Sequence, residues 1–192
     1  EGNYQKLIAQ KQAAEKDFEQ ELINLQNKLD LIVHPNLLPK VGSGVLSWPM
    51  STAFMNNCMQ RKNVFGNLFC ITQYFGNTPF STANPQIYNN NGHNAIDFAT
   101  PIGTPIQAAL SGVILATGDT DSTAGCMNGS FGRWVMIQHY NGLNTMYAHL
   151  STIDVSKGQT VGKGQTIGLS GMTGYATGPH LHFGVYATEG TK

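Results

Sequence analysis

Two textures divide the chain. Between Asn3 and His34 no Gly or Pro occurs, and Tyr4, Ile8, Phe18, Leu22, Leu25, Leu29 and Ile32 recur on a stripe of alternating three- and four-residue steps. Lys11 and Glu15 occupy the two seam positions where apolar residues would be expected. The pattern predicts a helix of about eight turns, roughly 45 Å long at 1.5 Å per residue. Its stripe suits a coiled coil, docking on a partner, or packing on its own domain. Pro35 and Pro39 then stop the helix, and Gly42-Ser43-Gly44 loosens the connection to the rest of the chain. The expected organisation is an N-terminal helical segment over 1–34, a linker over 35–44 and a domain over 45–192.

From Val45 onward short β-prone runs alternate with Gly, Asn and Pro. They include Pro105–Ala108, Gly112–Ala116, Trp134–His139, Thr145–His149 and His180–Val185, with Asn141-Gly142 as a hairpin signal. This predicts a mainly β domain, an antiparallel sheet with little helix. Residues 50–91, rich in Asn, Phe, Thr and Pro, are expected to form a long loop region that could line a cleft. Lys157-Gly158-Gln159-Thr160-Val161 is echoed by Lys163-Gly164-Gln165-Thr166-Ile167, which predicts two successive turn-plus-strand starts.

Composition narrows the class. Charged residues are 11% of the 192, hydrophobic residues 41%, and Gly numbers 22, a mix suited to a turn-rich β body. Formal net charge is zero, which gives no footprint for nucleic acid and no pull toward anionic lipid. No apolar run is long enough to span a bilayer. The chain opens at Glu1 without a signal-peptide pattern, so a processed or truncated product is expected, its targeting segment lying outside this sequence. Cys58, Cys70 and Cys126 form no C-x-x-C pair. In an exported protein one disulfide and one free thiol would fit, Cys58–Cys70 closing the shortest loop, and buried inert thiols fit equally well.

The histidines carry the candidate chemistry. In a strand, His180 and His182 of His180-Leu181-His182 project from one face. His93 and Asp97, four apart, share a side, and Asp97 lies between Ile96 and Phe98, where a lone carboxylate is costly and a cation would relieve it. His93, Asp97 and His182 together offer two imidazoles and a carboxylate, which suits zinc. Three protein ligands leave a fourth position for water, the pattern of a catalytic site. No H-E-x-x-H helix supplies a glutamate base, so His149 and His180 are the candidates for moving protons and stabilising negative charge. His34, at the helix end, and His139, beside a turn, are expected to be structural.

The motifs in this order resemble those of the M23 family, the lysostaphin/LytM-type peptidoglycan endopeptidases. They are His93-x-x-x-Asp97, Tyr147-Ala148-His149-Leu150-Ser151 and Thr177-Gly178-Pro179-His180-Leu181-His182-Phe183. Gly103–Ala108, Gly164–Gly168, Gly171-Met172-Thr173-Gly174 and Gln73-Tyr74-Phe75-Gly76 are also similar, so the resemblance covers about 45–188. It implies a β-rich fold with a narrow groove, zinc at its floor, and hydrolysis of peptide bonds in bacterial peptidoglycan. It implies His93, Asp97 and His182 as zinc ligands, His149 and His180 as catalytic histidines, and Tyr88 as a candidate for assisting the oxyanion. Related activator proteins lose ligands from this set, and all five positions are filled here. The resemblance further implies action in the periplasm, cell envelope or outside the cell. The alternative expectation is a non-hydrolytic scaffold or activator of the envelope, working through complex formation or self-association of the N-terminal helix.

Overall fold

A computed structural model describes residues 46–60, 70–88, 90–122 and 131–187. All of them fall in one compact unit, Lys40–Lys192. The helix expected over 1–34 and the linker expected over 35–44 lie outside the described residues.

The described chain is mainly antiparallel sheet. The elements are α1 (Thr52–Gln60), β1 (Ile71–Gln73), α2 (Pro79–Ala83), β2 (Ile96–Ala99), β3 (Pro105–Gln107), β4 (Gly112–Asp119), β5 (Arg133–His139), β6 (Leu143–Ile153), β7 (Thr160–Val161), β8 (Thr166–Ser170) and β9 (His180–Ala187). The strands run in the order β1-β2-β9-β6-β5-β4-β7, and β8 branches off to pair with both β6 and β3. Each strand run predicted near 105, 112, 134, 145 and 180 coincides with one of these strands. Asn141-Gly142 turns β5 into β6, with Gly142 at φ +77°, a conformation that favours glycine.

The described residues of the segment over 50–91 form two short helices and a strand rather than a bare loop. Ser51 Oγ accepts the Phe54 amide at the start of α1, and Met55 and Cys58 sink into the core. Thr78 and Ser81 cap α2 reciprocally, with Pro79 in the first turn. Short helices with such caps leave no long apolar period, which is why the pattern reads as loop. Cys58 and Cys70 are joined by a disulfide that ties α1 to the entry of β1.

The near-repeat is two copies of one turn. Gln159 Oε1 accepts the Ser156 amide and Gln165 Oε1 accepts the Gly162 amide, each at 3.0 Å. Gly158 and Gly164 take matching positive φ values of +85° and +82°.

One irregularity positions the site. Tyr147 and Leu150 both belong to the hydrophobic core, although they are three residues apart on β6. Strict alternation cannot place both inward. A bulge resolves this: β5 and β6 pair Val135 with Tyr147 but Arg133 with Leu150, so β6 carries one extra residue. Partners also change there. Residues 143–148 of β6 pair with β9, and 150–153 pair with β8. His149 occupies the junction at φ +62°, a left-handed conformation costly for a side-chain-bearing residue.

Candidate metal centre and groove

Strands β2 and β9 build the floor. Asp97 and His182 are direct cross-strand partners, as are Ala99 and His180. Phe98, Leu181 and Phe183 point into the core, which leaves Asp97, His180 and His182 on the opposite face. His93 arrives from the preceding loop, fixed by a two-way backbone pairing with Gly76 at 2.8 Å.

Three ligand-type atoms converge. His182 Nδ1 lies 3.0 Å from Asp97 Oδ1, and His93 Nε2 lies 3.3 Å from both. A tetrahedral ion with bonds of about 2.0–2.1 Å spaces its ligands by about 3.3 Å, so this triangle fits such an ion. The tautomers fit as well. His93 Nδ1 donates to the Tyr74 carbonyl at 3.0 Å, which leaves Nε2 as a bare lone pair aimed at the cluster. His182 Nε2 is buried with no hydrogen-bond partner among the described residues, so this side chain works through Nδ1. His93, Asp97 and His182 are all buried and form the one group among the described residues that could hold a metal ion. Burial opposes the charge on Asp97, but hydrogen bonds with His182 and His93 and nearby imidazole charge outweigh it. Its carboxyl is held well below the usual carboxylate range.

The remaining candidates border the same groove, a cavity of about 640 Å³. The His149 and His180 rings lie side by side at a tilt of 52°, centroids 4.5 Å apart. His149 Nδ1 donates to the Thr173 carbonyl at 2.7 Å and His180 Nδ1 to the Gly178 carbonyl at 2.8 Å, so each keeps Nε2 as an acceptor. Burial first, then the neighbouring His180, pushes the His149 imidazole down to about 4, against an upward pull from the Thr173 carbonyl. His149 is therefore neutral at neutral pH, and its Nδ1–H bond to the Thr173 carbonyl leaves Nε2 with an open lone pair.

Tyr88 stands over His93, ring to ring at 5.7 Å. Burial raises its phenol above the ordinary value, so it stays protonated. Gln73 Nε2 donates to its oxygen at 3.1 Å, which leaves the phenolic hydrogen free to point elsewhere in the groove. Thus His93, Asp97, His182, His149, His180 and Tyr88 all line one groove. His139 does not. It is buried elsewhere, bonded to the Ser111 carbonyl and Thr145, while His34 lies outside the described residues. Gln73 falls within the Gln73–Gly76 motif, but its bond to Tyr88 is not visible in one dimension, and the aromatic walls Phe131 and Tyr175 have no distinguishing spacing in the sequence.

The sequence profile of peptidase family M23 matches residues 91–192, more than half of the chain. The chain belongs to peptidase family M23. Among characterised members, it is 50% identical over 91 residues to the peptidoglycan DD-endopeptidase ShyA of Vibrio cholerae, 47% of this chain and 19% of that one. It is 43% identical over 91 residues to the DD-carboxypeptidase/endopeptidase Mpg of Neisseria meningitidis, again 47% of this chain and 19% of the other. The chain thus spans about a fifth of the length of these relatives. Among solved structures, the catalytic domain of lysostaphin from Staphylococcus simulans superposes with a TM-score of 0.55 at 29% identity, over 74% of this chain and 90% of that one. A zinc-containing peptidase from Vibrio cholerae gives 0.54 at 30% identity, over 76% and 37%. The M23 match begins just ahead of His93 and takes in both strands of the floor.

Proposed function

We propose that this chain is a zinc-dependent endopeptidase that hydrolyses peptide bonds in bacterial peptidoglycan. The convergence of His93 Nε2, Asp97 Oδ1 and His182 Nδ1 at 3.0–3.3 Å, beside two further histidines, carries this reading. Similarity to relatives named as peptidoglycan endopeptidases supports the substrate class, and the zinc-containing neighbour supports the choice of metal. When bound, zinc would polarise the scissile carbonyl and acidify a water in its open position.

The protein's own side chains do the rest. His149, neutral and with Nε2 unprotonated, accepts a proton from the attacking water. His180, with its ring centroid 4.5 Å from that of His149 and its Nε2 3.8 Å from Asp97 Oδ2, helps to pass a proton to the leaving amine. Tyr88 donates its phenolic hydrogen to the developing oxyanion, its oxygen being held by Gln73. Phe80, Phe131 and Tyr175 wall the groove and position the peptide.

A buried disulfide accords with an oxidising compartment, hence with action in the periplasm, the envelope or outside the cell. The non-hydrolytic scaffold has less support, because the full ligand set and both histidines converge. The test is release of fragments from purified cross-linked muropeptides, read by mass spectrometry. Cleavage should require metal and vanish with chelator; no cleavage by fully metal-loaded protein on any cross-link type would sink the proposal.

A further inference from the structure

The β5–β6 bulge is held open by a side chain from a distant loop. Arg133 and Leu150 are paired in register, yet the Thr173 hydroxyl bridges them. It accepts the Arg133 N–H at 3.0 Å and donates to the Leu150 carbonyl at 2.8 Å. The same residue's carbonyl takes the Nδ1 hydrogen of His149.

The surroundings clamp this insertion. A Cβ on Gly132 would run into the backbone and hydroxyl of Thr173 and the Gly174 nitrogen, and one on Gly174 would run into Gly132, so two loops touch backbone to backbone. Both glycines have positive φ, +59° and +68°. The Gly174 amide donates to Asp121 Oδ2 at 2.9 Å, and the Gly132 amide donates to Thr120 Oγ1 at 2.8 Å. The His149 amide donates to the Phe131 carbonyl at 2.9 Å.

We propose that Thr173 is a positioning residue for His149: its hydroxyl takes the place of a ladder hydrogen bond and so maintains the bulge that turns His149 into the groove, while its carbonyl fixes the imidazole's tautomer. Without that hydroxyl, the Arg133 N–H and the Leu150 carbonyl lose the group that bridges them, the ladder can close on the regular Arg133–His149 pairing, and His149 loses both its left-handed backbone and its place against the residue-173 carbonyl. This rests on the reading of His149 as proton acceptor, and the experiment separates the two.

Full-length Thr173→Val, Thr173→Ser and His149→Ala are compared with wild type for kcat and KM on a soluble cross-linked muropeptide, for zinc content, and by NMR of ring-labelled histidine in metal-free protein. Misplacement of a catalytic group by about 1 Å costs about 100-fold in rate. Thr173→Val is therefore expected to lose about 100-fold in kcat with KM and zinc content unchanged. Thr173→Ser restores most of that rate. The exchange-protected Nδ1 hydrogen of His149 should be present in wild type and Thr173→Ser and lost in Thr173→Val. Wild-type kcat in Thr173→Val, or a loss in Thr173→Ser equal to that in Thr173→Val, overturns the proposal. If Thr173→Val does not fold, Thr173→Ser decides: a protected Nδ1 hydrogen and preserved kcat support the hydroxyl's role, and their loss refutes it. Full activity in His149→Ala would instead remove the underlying reading, whatever the valine variant does.

Discussion

Replacing Cys58 and Cys70 together by alanine cuts the tether between α1 and the edge strand β1. The bond joins residues 12 apart in sequence. For a loop of that length the chain-entropy relation gives about 3 kcal/mol at 25 °C. In a domain of this size each kcal/mol moves Tm by about 2–4 °C, so a drop of about 6–12 °C is expected. Reduction of the metal-free wild-type protein keeps both buried sulfurs and so isolates the cross-link from the packing. A local effect should accompany the global one. β1 has three residues and pairs only with β2 among the described residues. The Tyr74 carbonyl, one residue beyond β1, orients His93, and loss of such an outer partner weakens metal binding about 10–100-fold. Differential scanning calorimetry with and without reductant, then zinc competition against a chromogenic chelator, measures both. A Tm change below about 2 °C with both thiols shown to be free would refute the assigned tether.

Other substitutions separate roles within the groove. His93→Ala and His182→Ala should lose both zinc and activity, whereas His149→Ala should keep zinc and lose about 100–10,000-fold in kcat, measured by metal analysis and turnover together. Tyr88→Phe should lower kcat about 100-fold with zinc retained. Gln73→Glu would draw the phenolic hydrogen away from the groove, and in the Tyr88→Phe background it should cost little more; an undiminished effect there would show that Gln73 does not act through Tyr88. Burial pushes the His139 imidazole down despite the Ser111 carbonyl. Its folded pKa therefore lies below its unfolded one, near 6.5. Its stabilisation is complete above that pH and is lost as pH falls toward the folded value. Urea midpoints of metal-free protein should fall from pH 7 to pH 5, and less steeply in His139→Gln; equal slopes would contradict this.

The candidate metal triad is legible in the sequence partly through simple periods and partly through the resemblance of its motifs. His180 and His182 differ by two on a regular strand, Leu181 and Phe183 fill the core behind them, and Asp97 pairs directly with His182. The strand runs are legible for the same reason, as in β5, where Val135, Ile137 and His139 alternate inward. The helices at 52–60 and 79–83 escape such reading because their order comes from caps and from a disulfide rather than from an apolar period. The disulfide partners themselves stay open in one dimension, since spacing alone ranks pairings without choosing among them.

His149 marks the limit of pattern reading. By parity it should follow Tyr147 into the core; the bulge and the left-handed φ turn it the other way. Nothing local in Tyr147-Ala148-His149-Leu150 announces that reversal, because its cause is Thr173, 24 residues further on. The candidate metal floor and the proposed proton acceptor therefore have different structural origins. The first is a regular ladder that any well-paired β2 and β9 of these residues would form. The second exists only when the loops at 131–133 and 173–174 are locked together. The two should fail independently: changes at the loop contact, such as Gly132→Ala, should lower turnover while zinc stays bound, and changes on the ladder should release zinc while leaving the His149 bulge in place.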